Sequence, residues 1–271
     1  MTQLWVINSK LSSEDSSIAM IEVFRKFGLN WAAQPTVPFS RTVIDFDWEN
    51  GPVFYYGSIN TIKNVLRQKP RNARLFYKPE KFTTTVYSEV LGDEWLNRGA
   101  ISTTIEEFLK STAPNKSRFF RPDTGDKSFA GCVNLVEDQK KFLEINIANN
   151  NCALSDKIWI SAPKNIQTEY RTWIIDRQCV AGTCYKEKGL VKPRALNEHE
   201  EIVVKNYANY IAQNYIDPPE VYTLDIALDE YDRHTVIEIN DVHASGWYTT
   251  HQIQDVIYEL SNYIAKYPEN K

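Results

Sequence analysis

The stretch V-I-E-I-N-D-V-H-A-S-G-W-Y, residues 236–248, constrains this chain most, because an apolar run there carries polar side chains at alternate positions. Successive side chains on a strand face opposite ways. Ile237 and Ile239 therefore share one face, and Glu238 and Asn240 share the other. The stretch T-L-D-I-A-L-D, residues 223–229, repeats the pattern, with Leu224, Ile226 and Leu228 on one face and Asp225 on the other. The short polar turn E-Y-D-R-H lies between them. In a hairpin register symmetric about Tyr231 and Asp232, Asp225 falls opposite Glu238, with Asn240 one pleat further along the same face. Like charges so placed destabilise a sheet unless something positive lies between them. A hard divalent cation such as magnesium accepts this all-oxygen set and binds substrate phosphates as well. A solvated polar sheet face, with Asn240 and Asp241 starting a turn, fits the same pattern, so the rest of the chain has to decide.

At 271 residues, 42% hydrophobic and 24% charged, the chain has the composition of a soluble globular protein with room for a substantial core. No apolar run approaches the roughly 18 residues needed to span a bilayer. The start M-T-Q-L-W-V-I-N has neither the basic segment nor the long apolar run of a signal peptide, so the cytoplasm is the expected compartment. Cys132, Cys152, Cys179 and Cys184 have no C-x-x-C spacing and no adjacent histidines, which favours reduced thiols over zinc ligands. The net charge of −4 disfavours strong nucleic-acid binding. Its distribution is uneven: residues 157–194 hold eight basic and three acidic side chains, whereas residues 217–259 hold ten acidic ones and a single arginine, Arg233. A basic segment followed by an acidic one suits a polyphosphate held between cations and carboxylate-bound metal, and suits two solvated surfaces equally well.

The first 79 residues alternate strands and helices. Strands are expected at 4–8, 43–46, 52–57 and 74–77, and helices at 16–27, with Ile18, Ile21, Phe24 and Phe27 near one face, and after Ser58. Such alternation points to a small α/β domain with a largely parallel sheet. Further helices are expected at 81–91, after Thr104, at 139–148, at 198–213 around Ile202, Tyr207, Tyr210 and Ile211, and at 250–265 around Ile253, Val256, Ile257, Leu260 and Ile264. Strand R-F-F-R-P runs into the loop D-T-G-D-K-S-F-A-G, and K-I-W-I-S forms a second strand. T-E-Y-R-T-W-I-I and C-V-A-G-T-C-Y-K, joined by D-R-Q, make a β-hairpin that carries Arg171 and Lys186 on consecutive strands. The loop offers N–H groups to phosphate oxygens, with Lys127 as a point charge and Ser128 as a donor, although it is not a P-loop.

This order of motifs resembles the ATP-grasp superfamily, and most of all a functionally unassigned branch common in phages and bacteria. The resemblance covers roughly residues 80–265, and its most specific part is the final E-x-N-D. It implies an α+β protein of ATP-grasp fold, two α+β lobes clamping ATP, preceded by a small α/β domain. The expected division is residues 1–79 for the first domain and 80–271 for the ATP-grasp domain, with 115–160 as its small lid. Arg121-Pro122 stands where the superfamily usually has a phosphate-binding Lys-Pro pair, so charge is kept while a planar fork replaces a compact ammonium. By the resemblance Arg121, Lys127 and Ser128 bind phosphates, and Trp159, Ile160 and Ser161 hold adenine. Arg171 and Lys186 steady the transferred phosphoryl group, and Asp225, Glu238 and Asn240 hold magnesium. His243 and Ser245 lie near the acceptor substrate, where His243 orients or deprotonates an amine or, on the other reading, simply bonds to backbone.

The implied activity is an ATP- and magnesium-dependent carboxylate–amine ligase acting through an acyl phosphate. Its partners would be a small-molecule or peptide carboxylate and an amine, with a homodimer as the default assembly. Two alternatives share the nucleotide site: a kinase that phosphorylates a hydroxyl, and a non-catalytic nucleotide-binding protein. A nucleic-acid ligase of the lysyl-nucleotide type would need K-x-D-G, which the chain lacks.

Overall fold

The computed structural model describes residues 3–8, 14–34, 46, 48–125, 128–248 and 252–268. The chain begins with β1 (Leu4–Asn8), α1 (Glu14–Phe27), β2 (Asn30–Gln34), β3 (Val53–Tyr56), α2 (Ile59–Gln68) and the two-residue β4 (Ala73–Arg74). A 3-10 turn (Pro79–Phe82) leads into α3 (Thr84–Leu91), β5 (Ile101–Thr104), α4 (Ile105–Lys110), β6 (Ser117–Pro122), β7 (Cys132–Leu135), α5 (Val136–Ala148) and β8 (Lys157–Ser161). Then come β9 (Ile166–Ile175), β10 (Gln178–Glu187), β11 (Leu190–Ala195), α6 (Glu198–Asn214), β12 (Val221–Asp229), β13 (His234–Asp241) and α7 (Gln252–Lys266). No helix among the described residues is long and apolar enough to cross a membrane.

Two compact units result. One joins Met1–Tyr77, Thr168–Ile226 and Ile239–Lys271, and the other joins Lys78–Gln167 and Ala227–Glu238. In the first unit the sheet β2-β1-β3-β4 is wholly parallel, and its inner strand β1 is buried at every residue, as a strand covered on both faces must be. Its core joins Trp5, Phe24, Phe54, Trp173 and Trp247 to the apolar stripe of α7, where Ile253, Val256, Ile257, Leu260 and Ile264 are all 1% exposed or less. In the second unit, the sheet β5-β8-β6-β7 packs one face on α4 and α5 through Ile105, Phe108, Phe120, Leu143 and Ile158. The five-stranded sheet has the order β11-β10-β9-β12-β13.

Local chemistry explains several element ends. Ser58 accepts a hydrogen bond from the Thr61 N–H and starts α2, while Thr104 with Glu107 and Asn197 with Glu200 form capping boxes on α4 and α6. Asp176 and Arg177, at φ 49° and 65°, take the left-handed conformation that a two-residue hairpin turn between β9 and β10 requires.

Several expectations are revised. The helix expected from residue 81 starts at Thr84, because Thr83 caps it and Pro79–Phe82 closes a separate 3-10 turn. The strand expected at 74–77 pairs only through Ala73 and Arg74. In α1 the buried apolar positions are Met20 and Phe24, while Ile18 and Phe27 are exposed. In α6 they are Val204, Ala208, Ile211 and Ala212, while Ile202 and Tyr210 are exposed. Strands β2, β5 and β11 were not expected, and the candidate at 43–46 lies, except for Phe46, outside the described residues.

Candidate functional site

In the second unit, β6 and β8 pair antiparallel with Arg121 opposite Trp159, Phe120 opposite Ile160 and Phe119 opposite Ser161. The pleat therefore sorts the expected nucleotide residues. Arg121, Trp159 and Ser161 share the sheet face away from α4 and α5, while Ile160 faces the helix-covered core and packs there. Arg121 is 8% exposed, its Nη2 donates to Glu238 Oε2 at 2.8 Å, and its guanidinium lies 5.5 Å from the centre of the Tyr87 ring. Burial works against that charge, yet Tyr87 and the Glu238 carboxylate outweigh it and raise the pKa. The Nε of Arg121 is buried without a hydrogen-bond partner among the described residues. Trp159 donates its indole N–H to Asp123 Oδ1 at 2.8 Å and meets Trp95 edge to face at 5.3 Å. Ser161 donates to Asn97 Oδ1 at 2.9 Å. Trp95 in turn bonds Ile237 O through its indole nitrogen and bridges to Val236, beside Glu238 on β13. Ser128 is half-buried, and Lys127 lies outside the described residues.

The first unit holds the other group. Arg171 on β9 grips Asp225 on β12 with both prongs of its fork, Nε to Oδ1 at 2.8 Å and Nη2 to Oδ2 at 2.7 Å, and donates from Nη1 to Gly246 O at 3.1 Å. Asn240 Nδ2 donates to the same Asp225 Oδ2 at 3.3 Å. Asp225 is 0% exposed and Arg171 is 5% exposed, and this coupled buried pair holds the guanidinium pKa well above its usual value although burial opposes the charge. Tyr185 and Tyr248 stack at 5.2 Å, and the Arg171 guanidinium lies 5.3 Å from one ring and 5.5 Å from the other. A register shift between Cys184 and Lys186 inserts an extra residue in β10. Such a bulge re-aims side chains. Here Tyr185 donates to Glu169 Oε2 at 2.6 Å, and Lys186 Nζ lies 2.7 Å from Glu169 Oε1.

His243 and Ser245 are interior residues of this unit. His243 is 0% exposed, and its Nδ1 lies 2.6 Å from Tyr55 O while the Phe76 N–H donates to Nε2 at 2.9 Å. Those partners fix the tautomer with the proton on Nδ1. Phe54 and Phe76 stack on its ring at 4.4 and 5.7 Å. Burial lowers its pKa from 6.5 to about 4. Ser245 Oγ donates to Asp241 O at 2.6 Å and meets Thr223 Oγ1 at 3.0 Å. Asp241, buried at the end of β13, has neither carboxylate oxygen in a hydrogen bond of good geometry among the described residues, and burial lifts its pKa from 3.8 to about 7 against the opposing effect of the His243 and Ala244 N–H groups.

The structure thus brings Arg121, Trp159, Ser161 and Glu238 together in one unit, and Arg171, Lys186, Asp225 and Asn240 in the other. Sequence reading gave no role in the site to Tyr87, Trp95, Asn97, Glu169, Tyr185 and Tyr248, although Glu169, Tyr185 and Tyr248 lie inside the stretches quoted above. Asp123 had a signal, its place directly after Arg121-Pro122. The all-oxygen set Asp225, Glu238 and Asn240 suits a hard dication by donor type. It has two carboxylates and an amide, and among the described residues no three His, Cys, Asp or Glu side chains cluster as metal ligands.

Residues 68–260 match the model of an ATP-grasp domain, the third family of its clade. The chain belongs to this ATP-grasp family. Its fold is the ATP-grasp fold, shared with solved structures across nearly the whole chain. D-cycloserine synthetase DcsG is 11% identical with a TM-score of 0.59, covering 99% of this chain and 100% of that one. D-alanine–D-alanine ligase from Bacillus anthracis is 11% identical at a TM-score of 0.56, covering 99% and 97%. The ATP-grasp ligase PsnB, solved with its precursor peptide PsnA2 and AMPPNP, is 13% identical at 0.53, again covering 99% and 97%. No curated protein sequence matches this ATP-grasp chain.

Proposed function

We propose that this ATP-grasp protein is a carboxylate–amine ligase that uses ATP and magnesium and releases ADP and phosphate. The observation that carries the nucleotide half is the register of β6 and β8: Arg121 and Trp159 stand side by side on one sheet face, and the Gly/Ser loop begins two residues after Arg121. An indole surface beside a buried guanidinium with an unpartnered Nε is suited to a base and its phosphates. The ligase half draws support from the fold relatives, a synthetase and two ligases.

In the proposed reaction a substrate carboxylate oxygen attacks the γ-phosphorus of ATP and ADP leaves. The amine nitrogen then attacks the acyl carbon of the acyl phosphate, phosphate leaves, and the amine proton passes to solvent. Arg121, Lys127 and Ser128 would hold phosphate oxygens, Trp159 and Ser161 the adenine side, and Arg171 and Lys186 the charge that develops on the transferred group. These residues act by orientation and charge neutralisation, so the protein needs no covalent nucleophile. Asp225, Glu238 and Asn240 would hold magnesium, which supplies charge neutralisation at the phosphates when bound. The carboxylate and amine are of small-molecule or peptide type.

Thermal unfolding with and without Mg-ATP tests the reading. Wild type should melt higher with Mg-ATP, and Glu238→Ala should lose the increment. Carboxylate and amine pairs screened for phosphate release then identify the substrates. ADP released without free phosphate would redirect the assignment to a hydroxyl acceptor. No melting shift in wild type would remove the ATP site altogether.

A further inference from the structure

Asp123, the residue after Arg121-Pro122 at the end of β6, is bonded to two other segments of the second unit, α3 and β8. Its N–H donates to Lys157 O at 3.0 Å on β8, and its carbonyl accepts from the Thr84 N–H at 2.7 Å on α3. Its Oδ1 accepts from the Thr85 N–H at 2.7 Å, from Thr85 Oγ1 at 2.9 Å and from Trp159 Nε1 at 2.8 Å. One carboxylate oxygen therefore ties the end of β6, the first turn of α3 and the indole of β8 into a single frame.

The loop that follows is fitted at both shoulders. A Cβ on Gly125 would sit 2.8 Å from Phe82 Cβ and 2.9 Å from Phe82 O, closer than any side chain can approach a backbone, so glycine alone fits. At the other shoulder Phe129 is 6% exposed in the unit's core, edge-on to Phe142 at 5.7 Å. A Cβ on Gly131 would meet the Phe119 ring at 3.0 Å.

We propose that Asp123 is a positioning residue for the nucleotide, locking the indole of Trp159 and the entry to the phosphate loop into one geometry before ATP arrives. The inference rests on the ATP-site reading above and adds a residue that touches no part of the substrate. Preorganisation of this kind appears in affinity, because a site whose halves drift must be ordered by the ligand. Losing the shared oxygen should weaken ATP binding about tenfold or more.

Calorimetric titration of Mg-ATP into wild type, Asp123→Ala, Asp123→Asn and Gly182→Ala tests this. Gly182 lies on β10 in the first unit, and its substitution serves as a control for general destabilisation. Asp123→Ala should raise the dissociation constant about tenfold or more, with the nucleotide-free protein still folded at the assay temperature. Asp123→Asn keeps an accepting oxygen and should recover binding to within about threefold of wild type. Gly182→Ala should lower the melting temperature and leave ATP affinity unchanged. Wild-type affinity in Asp123→Ala, alongside lost binding in Glu238→Ala, would overturn the inference and leave the ATP site standing. Asparagine failing as badly as alanine would also overturn it, since charge rather than the hydrogen-bond frame would then matter. A wild type that does not bind ATP would take down the underlying reading and the inference with it.

Discussion

His243→Ala separates a structural histidine from a catalytic one, and the interior contacts fix the expected size of the effect. The substitution removes the bond to the Tyr55 carbonyl and the acceptor of the Phe76 N–H, and opens space between Phe54 and Phe76. The two lost hydrogen bonds and the cavity carry a cost, together roughly 3–6 kcal/mol at pH 7. The same ring sets a pH signature. Its folded pKa is depressed from 6.5 to about 4, so the unfolded chain takes up a proton that the folded chain refuses. The stability it contributes is full above pH 6.5 and is lost as pH falls toward 4, up to roughly 3 kcal/mol. Asp241 acts with the opposite sign, because its folded pKa is raised from 3.8 to about 7 and its contribution is lost as pH rises through that window. Wild type alone therefore shows a shallow profile where the windows overlap, and the difference between wild type and His243→Ala isolates the ring. Urea unfolding at a series of pH values should give a difference that shrinks by roughly 3 kcal/mol between pH 6.5 and 4. A variant that unfolds at the wild-type urea concentration yet loses turnover would refute the structural role. A difference independent of pH would refute the buried neutral ring.

Arg171→Lys removes the two-pronged grip on Asp225 and the bond to Gly246 O, and an ammonium cannot restore both, so urea unfolding should show a loss of about 2–3 kcal/mol. Gly182→Ala brings a Cβ to 2.8 Å from Leu196 Cδ1, the end of a flexible side chain, and should cost about 1 kcal/mol by the same assay. Arg121→Ala should weaken ATP binding at least about tenfold while magnesium without nucleotide binds more tightly, since Glu238 loses its guanidinium. Calorimetry of the two ligands in turn reads the opposite signs, and a parallel change in both would defeat the assignment.

What the sequence made legible was local in the chain. The α7 stripe, the Ser58 cap and the Asp176-Arg177 turn all lie where spacing and turn chemistry put them. Its failures have local causes too. On α6 the large residues Ile202 and Tyr210 drew the expected face, whereas the helix, which lies against β10, buries Val204, Ala208, Ile211 and Ala212. Strand β11 is an edge strand whose Lys192-Pro193 breaks any alternation, and an edge is where a strand tolerates proline. The site was legible as a set of residue types on strands and illegible as pairings. Arg171 and Asp225 lie 54 positions apart, and Arg121 and Glu238 lie 117 apart. No periodicity reports on partners at that separation.

Those pairings bear on how a ligand would enter. Sequence reasoning put two carboxylates on β12 and β13 and required a positive charge to keep them there. That requirement is met in the structure residue by residue, Asp225 by Arg171 and Glu238 by Arg121. On the proposed assignment the same arginines belong to phosphate oxygens and the same carboxylates to magnesium. Magnesium alone would draw Glu238 away from Arg121, whose side chain is 10% exposed, and ATP alone would draw Arg121 away from Glu238, so either ligand by itself has to break this contact. Breaking one side of a buried pair costs about 3–5 kcal/mol. Arriving together, each ligand supplies the charge that the other takes from the Arg121–Glu238 pair. Each ligand should therefore raise the affinity for the other, by the same factor in both directions. Titration of magnesium at fixed ATP, and of ATP at fixed magnesium, measures that factor. Independent binding would mean that the arginine–carboxylate pairs stay closed, and that the nucleotide is held by other groups.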